Sequence, residues 1–325
     1  MLLFPDKTSV DTFLDQDAKA ARSHLKDPIT MSVVVLLLAA GCASPPSGPG
    51  GEQMGKVVRL DPRLDDLIPV DAKIEKLAGG FAWCEGPVWL PEEGAVVFSD
   101  IPNNRVMRWK EGEGLGVHLR PSGYTGETSR GGETGSNALL LDPGGNLVLC
   151  QHGDRRISRL KKDWSFEPLV THYGRKRLNS PNDATFHSSG DLYFTDPPYG
   201  LELRMADPAK ELLFQGVYRL PKGSTEPVLL TKDITRPNGI GLSPDEKKLY
   251  VACSDPDRAI WMVYDVQPDG SIANGKVFFD ATPWFKEGRP GLPDGLKVDR
   301  AGNICSASIT FPAADIYTSP LCPSG

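Results

Sequence analysis

The chain has 325 residues, of which 39% are hydrophobic and 24% charged, and its formal net charge at pH 7 is −6. The hydrophobic content is that of a globular protein, and the length allows one large domain or two of ordinary size. The acidic balance argues against a nucleic-acid partner, because binding to phosphates requires a basic face. With 34 glycines and 29 prolines among short apolar runs, the composition favours an all-β protein with many turns.

The N-terminal segment has the pattern of an export signal. Residues 31–40 read MSVVVLLLAA and are followed by Gly41 and Cys42, an apolar run that is too short for a transmembrane helix and suits a signal peptide. We predict a leader over residues 1–41, lipidation of Cys42 as in a bacterial lipoprotein, and a Pro/Gly-rich tether over 42–64. The protein is then periplasmic or on the cell surface and touches the membrane only through its lipid. The alternative is that the apolar run is a buried strand or helix of the domain.

A repeat follows the tether. Five segments share a small turn and then an apolar strand that ends in polar residues, and their turn positions lie 45 to 57 residues apart. These segments are LPEEGAVVFSD (90–100), LDPGGNLVLCQ (141–151), HSSGDLYFTD (187–196), SPDEKKLYVACSD (243–255) and DRAGNICSAS (299–308). Segments between them, such as RVMRWK (105–110) and IWMVYDV (260–266), alternate apolar and polar residues like half-buried strands. The blades of a β-propeller repeat at about 40–50 residues with four short strands in each, so the repeat predicts a propeller.

One position in every repeat carries an oxygen-bearing side chain. Eight or nine residues before the five turns lie Glu85, Asn137, Asn182, Asn238 and Asp294. Any single Asn-Gly or Asp-Gly pair is typical of a turn. In a propeller, however, rotation about the central axis relates equivalent positions, so these five side chains converge on that axis. Two carboxylates among carboxamides suit a hard divalent cation, with Ca²⁺ favoured and Zn²⁺, Mg²⁺ and Mn²⁺ as alternatives.

Several motifs resemble the SMP-30/gluconolactonase/regucalcin-like family, and in particular its bacterial gluconolactonase branch. They are CEGPVW (84–89), GSNALLLDPGGNLVLCQHGDRRI (135–157), SPND (180–183), GDLYFTDPPYG (190–200), RPNGIGLSPDEKKLYV (236–251) and LPDGLKVDRAGN (292–303). The resemblance implies a six-bladed β-propeller with one divalent cation on its axis. It implies Glu85, Asn182, Asn238 and Asp294 as metal ligands and Asp294 as the general base. It also implies that Asn137, His152 and Asn182 contact the substrate.

The activity that this resemblance implies is a lactonase, a carboxylic ester hydrolase that opens sugar lactones. A cation polarises the lactone carbonyl and acidifies a bound water, and a carboxylate beside it can take the proton as the water attacks. The sequence lacks G-x-S-x-G, so a serine hydrolase of the α/β type has no support. Vertebrate members carry an arginine at the position of Ser180, which leaves the sugar specificity open. Two alternatives remain: another lactonase or aryl esterase that uses the same cation, and a non-catalytic, surface-anchored propeller that serves as a binding scaffold.

The family pattern stops after Asn303. The predicted propeller therefore covers residues 65–304, and residues 305–325 form an aberrant tail of the kind that a frameshift or a truncated gene would produce. We expect the last blade to be missing from this chain, because no sixth turn-and-strand segment follows. A closed propeller has no exposed sheet edges, so an open ring is expected to aggregate.

Overall fold

The structure is a computed structural model. It describes residues 2–3, 33–37, 52–53, 57–59 and 61–309, with side chains for 57–59 and 61–308. The predicted lipidation site Cys42, most of the predicted leader and the tail after residue 309 lie outside these ranges. Within them, no helix is both long enough and apolar enough to cross a membrane.

Four consecutive antiparallel sheets of four strands each form the body of the molecule. They are preceded by β1 (Leu2–Leu3), β2 (Val33–Leu37), β3 (Glu52–Gln53), β4 (Val58–Arg59), a 3₁₀ turn (Pro62–Asp66) and β5 (Glu75–Lys76). Blade 1 contains β6 (Cys84–Leu90), β7 (Ala95–Asp100), β8 (Arg105–Lys110) and β9 (Gly114–Leu119), and blade 2 contains β10 (Ser136–Leu141), β11 (Leu147–Gln151), β12 (Arg156–Leu160) and β13 (Phe166–Val170).

The hairpin of β14 (His172–Tyr173) and β15 (Lys176–Arg177) leads to the next two sheets. Blade 3 contains β16 (Ala184–Phe186), β17 (Leu192–Asp196), β18 (Gly216–Leu220) and β19 (Val228–Thr231), with a 3₁₀ turn (Arg204–Ala206) between β17 and β18. Blade 4 contains β20 (Pro237–Leu242), β21 (Lys248–Asp255), β22 (Arg258–Val266) and β23 (Ile272–Asp280), and α1 (Thr282–Lys286) leads to β24 (Leu292–Val298) and β25 (Ile304–Ile309). The strands RVMRWK and IWMVYDV lie where the sequence predicts them.

The fifth sheet differs from the other four. Its strand order is β24-β25-β2-β1-β4, and β2 runs parallel to β25 with Val33 opposite Ile304 and Leu37 opposite Ser308. The described residues therefore contain four complete blades and the first two strands of a fifth, beside which the N-terminal apolar run lies. The prediction of an all-β propeller is confirmed, and the loss of the last blade stays a prediction.

The second strand of a blade packs against both neighbouring blades. In β17, Phe194 belongs to a buried cluster with Val148 of blade 2, whereas Tyr193 belongs to a cluster with Val251 of blade 4. Because side chains alternate between the two faces of a strand, a strand that is buried on both sides needs a nearly continuous apolar run. This explains the apolar runs that mark the repeat.

Aspartate-centred turns set the geometry between the first and second strands of blades 2 and 5. Asp142 accepts hydrogen bonds from the backbone N–H groups of Gly144 (2.8 Å) and Asn146 (2.9 Å). Asp299 accepts from Ala301 (2.9 Å) and Asn303 (2.8 Å) in the same way. Such turns are local, which is why they were visible in the sequence.

Two long loops lie at the end of the propeller where the inner strands begin. Residues 120–135 connect blades 1 and 2, and residues 197–215 connect β17 to β18, whereas the equivalent connections in blades 1 and 2 have four residues. The loops are joined where Arg130 donates to the Gly200 carbonyl and where the Gly131 N–H donates to Glu202 at 3.1 Å. They therefore form a rim around this end of the axis.

Candidate active site at the propeller axis

A β-bulge near the start of the innermost strand lies at four of the five predicted axial positions. The register shifts between Glu85 and Val88, between Ser136 and Leu139, between Pro237 and Ile240, and between Pro293 and Leu296. In blade 3, the Asn182 N–H donates to the Thr195 carbonyl at 2.9 Å, just before β16 begins. A bulge changes the direction of the side chains that it contains, and here it does so at the same position of blades 1, 2, 4 and 5.

The small residue after an axial position allows neighbouring inner strands to approach closely. A Cβ atom on Gly86 would lie 2.5 Å from the Asn137 carbonyl oxygen, and one on Gly239 would lie 2.4 Å from the Leu296 nitrogen. Neither space admits a side chain. The Gly residues that follow Glu85 and Asn238 are therefore required by packing between blades and not only by a turn.

Hydroxyl groups on the second strands of blades 1, 3 and 4 join each of these blades to the axial segment of the next. Ser99 donates to the Asn137 carbonyl at 2.8 Å, and Thr195 donates to the Asn238 carbonyl at 2.7 Å. Ser254 donates to the Pro293 carbonyl at 2.5 Å, directly before Asp294. These buried hydrogen bonds fix the axial segments relative to one another.

Asn238 and Asp294 form a direct pair. The Asn238 carboxamide nitrogen donates to Asp294 Oδ1 at 2.7 Å and to Ser254 Oγ at 2.9 Å, and both axial residues are buried. This leaves the Asn238 carboxamide oxygen for another partner. Glu85 is partly buried and accepts from the indole N–H of Trp83 at 3.1 Å.

Burial perturbs both axial carboxyl groups. It raises the pKa of Asp294 to about 7, although hydrogen bonds from Asn238 and the Gly295 backbone oppose the increase. It also raises the pKa of Glu85 well above its usual range, and the negative charge of Asp294 raises it further. The two carboxylates are thus near enough to repel each other in a poorly solvated place.

This arrangement fits a divalent cation. Among the described side chains there is no group of three or more His, Cys, Asp or Glu that could hold a metal ion. The oxygen donors at the axis are instead the two carboxylates and the carboxamides of the axial asparagines, all of which are hard ligands. A cation between Glu85 and Asp294 would offset their mutual repulsion and their loss of hydration.

Asn137 and Asn182 complete the ring of axial positions. Both residues are buried, and their backbone carbonyls accept hydrogen bonds from Ser99 and from the Ala138 N–H. Their side chains make no hydrogen bond to another described residue. Two buried carboxamides are therefore available to a cation, a water or a substrate.

Ser180 has a structural role in this fold. Its hydroxyl donates to the Pro197 carbonyl at 2.6 Å and accepts from the Gly200 N–H at 2.8 Å. It therefore holds the first residues of the 197–215 loop, which include Tyr199. Burial raises the pKa of Tyr199, whose hydroxyl lies near Ser254 and Asp294.

His152 lies in the wall between blades 2 and 3 and is fully buried. Its Nδ1 atom is 3.0 Å from Glu133 Oε2, and Arg204 Nη2 lies 3.8 Å from the other oxygen of Glu133. Glu133 also contributes to raising the pKa of Asp294, after burial as the main cause, so its charge acts at the axis. Glu133 is a residue of the site that the sequence did not reveal.

A family model described as the SMP-30/gluconolactonase/LRE-like region matches residues 83–316, which include the inner strands of all five sheets. The chain belongs to this family. The match extends beyond Asn303, where the recognisable motifs end, and β25 pairs with β24 in that part of the chain.

Several members of the family are similar to this chain over most of its length. The gluconolactonase of Zymomonas mobilis is 35% identical over 289 residues, which are 86% of this chain and 80% of the relative. A pentonolactonase of Haloferax volcanii is 28% identical over 229 residues, 69% of this chain and 65% of the relative. The solved structure of a gluconolactonase from Xanthomonas campestris has a TM-score of 0.63 at 30% identity and covers 83% of this chain and 82% of its own.

A calcium-binding regucalcin from Agrobacterium tumefaciens shares the fold at 20% identity, with a TM-score of 0.51 and coverage of 70% of this chain and 68% of its own. Within the SMP-30/gluconolactonase fold, the present structure brings Glu85, Asn238 and Asp294 together through hydrogen bonds and electrostatic contact. It places Asn137 and Asn182 at the equivalent positions of blades 2 and 3, and His152 in the adjoining wall.

Proposed function

We propose that this chain is a metal-dependent hydrolase that opens sugar lactones. The observation that carries the proposal is the axial carboxylate pair of the partly buried Glu85 and the buried Asp294, which Asn238 contacts. The relatives of the chain include a gluconolactonase and a pentonolactonase. The prediction of a lactonase is confirmed at the level of this enzyme class. The metal dependence and the residue roles are the parts that we propose.

Glu85, Asn182, Asn238 and Asp294 would hold one divalent cation, and Ca²⁺ is the ion that oxygen donors of this kind favour, with Zn²⁺, Mg²⁺ or Mn²⁺ as alternatives. When bound, the cation supplies a positive charge that stabilises the oxygen of the lactone carbonyl as that oxygen becomes negative. Asn238 orients the Asp294 carboxylate through the 2.7 Å hydrogen bond.

Asp294 acts as the general base. Its carboxylate takes a proton from the water that attacks the lactone carbonyl carbon, and it returns that proton to the ring oxygen as the ester C–O bond breaks to give a hydroxy acid. Without a cation the pKa of Asp294 is about 7, and the charge of a bound cation would lower it, so Asp294 would be the carboxylate that a base must be at neutral pH. Asn137, Asn182 and His152 bind and orient the lactone, and the loops 120–135 and 197–215 limit access of bulk water.

Replacement of one axial carboxylate tests this proposal. We expect Asp294→Asn to lower kcat/KM for glucono-1,5-lactone by roughly 10²–10⁴, because the proton acceptor is lost while the side-chain shape is kept. Asp257→Asn is the matched control, since Asp257 is exposed in the β21–β22 turn. Hydrolysis is followed by pH-stat, with and without a chelator. Full activity in Asp294→Asn, or in wild-type protein freed of metal, would contradict the mechanism.

The proposal includes export. The short apolar run 31–40, the small residues before Cys42 and the tether after it support a lipid-anchored protein of the periplasm or cell surface. Processing would remove Val33–Leu37 and hence β2 from the side of β25. The intact mass of the protein extracted from membranes checks this, and a mass that includes residues 1–41 would refute it.

A further inference from the structure

His152 holds its ring in one defined orientation. The residue follows β11, and its backbone N–H donates to the Gly135 carbonyl at 3.1 Å. A Cβ atom on Gly200 would lie 2.5 Å from the His152 Cβ, so the loop 197–215 packs tightly against it. The side chain therefore has little freedom to move.

The contact with Glu133 fixes the proton on the ring. A carboxylate only accepts hydrogen bonds, so at 3.0 Å from Glu133 Oε2 the Nδ1 atom of His152 is the donor. In the neutral ring, Nε2 then carries a lone pair and no proton. The second Glu133 oxygen lies near Arg204, which orients the carboxylate from the rim.

The Nε2 atom of His152 is buried and has no hydrogen-bond partner among the described residues. Nearly all buried polar side-chain atoms in folded proteins are paired, and an unpaired one requires an explanation. Leaving such an atom unpaired loses its hydration without replacing it by another hydrogen bond. A donor from a bound molecule would supply that hydrogen bond.

The position of His152 and Glu133 relative to the propeller axis indicates which bound molecule could supply this donor. His152 directly follows Gln151, which is paired with Ser136, and Ser136 precedes Asn137 at the axis. Ser180 and Gly200 lie on its other side, in blade 3. His152 therefore lies in the wall between the axial positions of blades 2 and 3.

We propose that Glu133 is a positioning residue that holds His152 Nε2 as a hydrogen-bond acceptor for a hydroxyl group of the lactone ring. This inference rests on the proposed function and narrows its substrate to polyhydroxylated lactones. A site built to pair with a substrate hydroxyl rejects an analogue that lacks it, because its own buried group is then left unpaired. Aryl esters and unsubstituted lactones would bind without this contact.

The test compares two six-membered lactones, glucono-1,5-lactone and δ-valerolactone, which differ in their hydroxyl groups. Glu133→Gln weakens the hydrogen bond that orients the His152 ring, because a neutral carboxamide is a poorer acceptor for the Nδ1 proton than a carboxylate. We expect the ratio of the two kcat/KM values to fall about tenfold or more in favour of δ-valerolactone. Glu133→Asp, which keeps an acceptor-only group, should restore part of the selectivity.

Glu202→Gln is the matched control. Glu202 joins the same two loops through the Gly131 N–H but does not contact His152, so the selectivity ratio should stay at the wild-type value. An unchanged ratio in Glu133→Gln, or an equal loss on both lactones, would overturn the inference and leave Glu133 a structural residue. Wild-type protein that hydrolyses neither lactone in the presence of cation would instead overturn the proposed function, and this inference with it.

Discussion

The axial glycines show how a single residue can serve both packing and the site. Gly86 has a φ of +57° and directly follows Glu85, and a Cβ there would meet the Asn137 carbonyl oxygen at 2.5 Å. Gly94 has nearly the same φ, +61°, but nothing lies within 4 Å of its Cβ position. A substitution at Gly94 therefore has only the free-energy cost of a left-handed backbone, whereas one at Gly86 has this cost and that of a clash between blades.

We expect Gly94→Ala to lower the free energy of unfolding by about 1–2 kcal/mol, the usual cost of a left-handed conformation for alanine. Gly86→Ala should lower it by a further 1–3 kcal/mol or so, because the extra methyl group forces neighbouring strands apart. Urea denaturation of both variants measures the difference. Equal losses would mean that blades 1 and 2 do not approach as closely as described.

At the scale of elements, the sequence predicts what depends on local chemistry. The turn DPGGN around Asp142 and the turn DRAGN around Asp299 close through hydrogen bonds within five residues, so a sequence pattern is enough to locate them. The same holds for strands buried on both faces, whose apolar runs are continuous. The spacing of these turns and strands reveals the repeat, and the equivalent position in each repeat predicts the axial residues.

The rim could not be predicted in this way. Loops 120–135 and 197–215 differ in length and sequence from the equivalent connections of the other blades, so periodicity gives no information about their contacts. Glu133 meets His152 across 19 positions of sequence, and Arg204 meets Glu133 from another blade. The inter-blade hydrogen bond from Thr195 to the Asn238 carbonyl also depends on long-range packing. Contacts of this kind follow from the fold and not from any local pattern.

At the scale of the whole molecule, the proposed cation would join four blades, because one ligand comes from blade 1 and the others come from three later, consecutive blades. Its ligands Glu85, Asn182, Asn238 and Asp294 come from blade 1, blade 3, blade 4 and β24. A ligand that binds only the folded state stabilises that state by an amount that grows with the logarithm of the ligand concentration above the dissociation constant. Binding of the cation should therefore stabilise the assembled ring of blades as well as support catalysis.

Removal of the cation should consequently lower the thermal stability of the whole propeller. At a cation concentration 100 times the dissociation constant, binding adds about 2.7 kcal/mol to the free energy of unfolding, which for a domain of this size raises Tm by roughly 5–10 °C. Calorimetry of chelated and Ca²⁺-loaded protein at equal ionic strength measures this shift. Asp294→Asn should abolish most of it, whereas Asp257→Asn should keep it. A shift of the same size in both variants would place the cation elsewhere on the acidic surface, and the axial residues would then hold no metal.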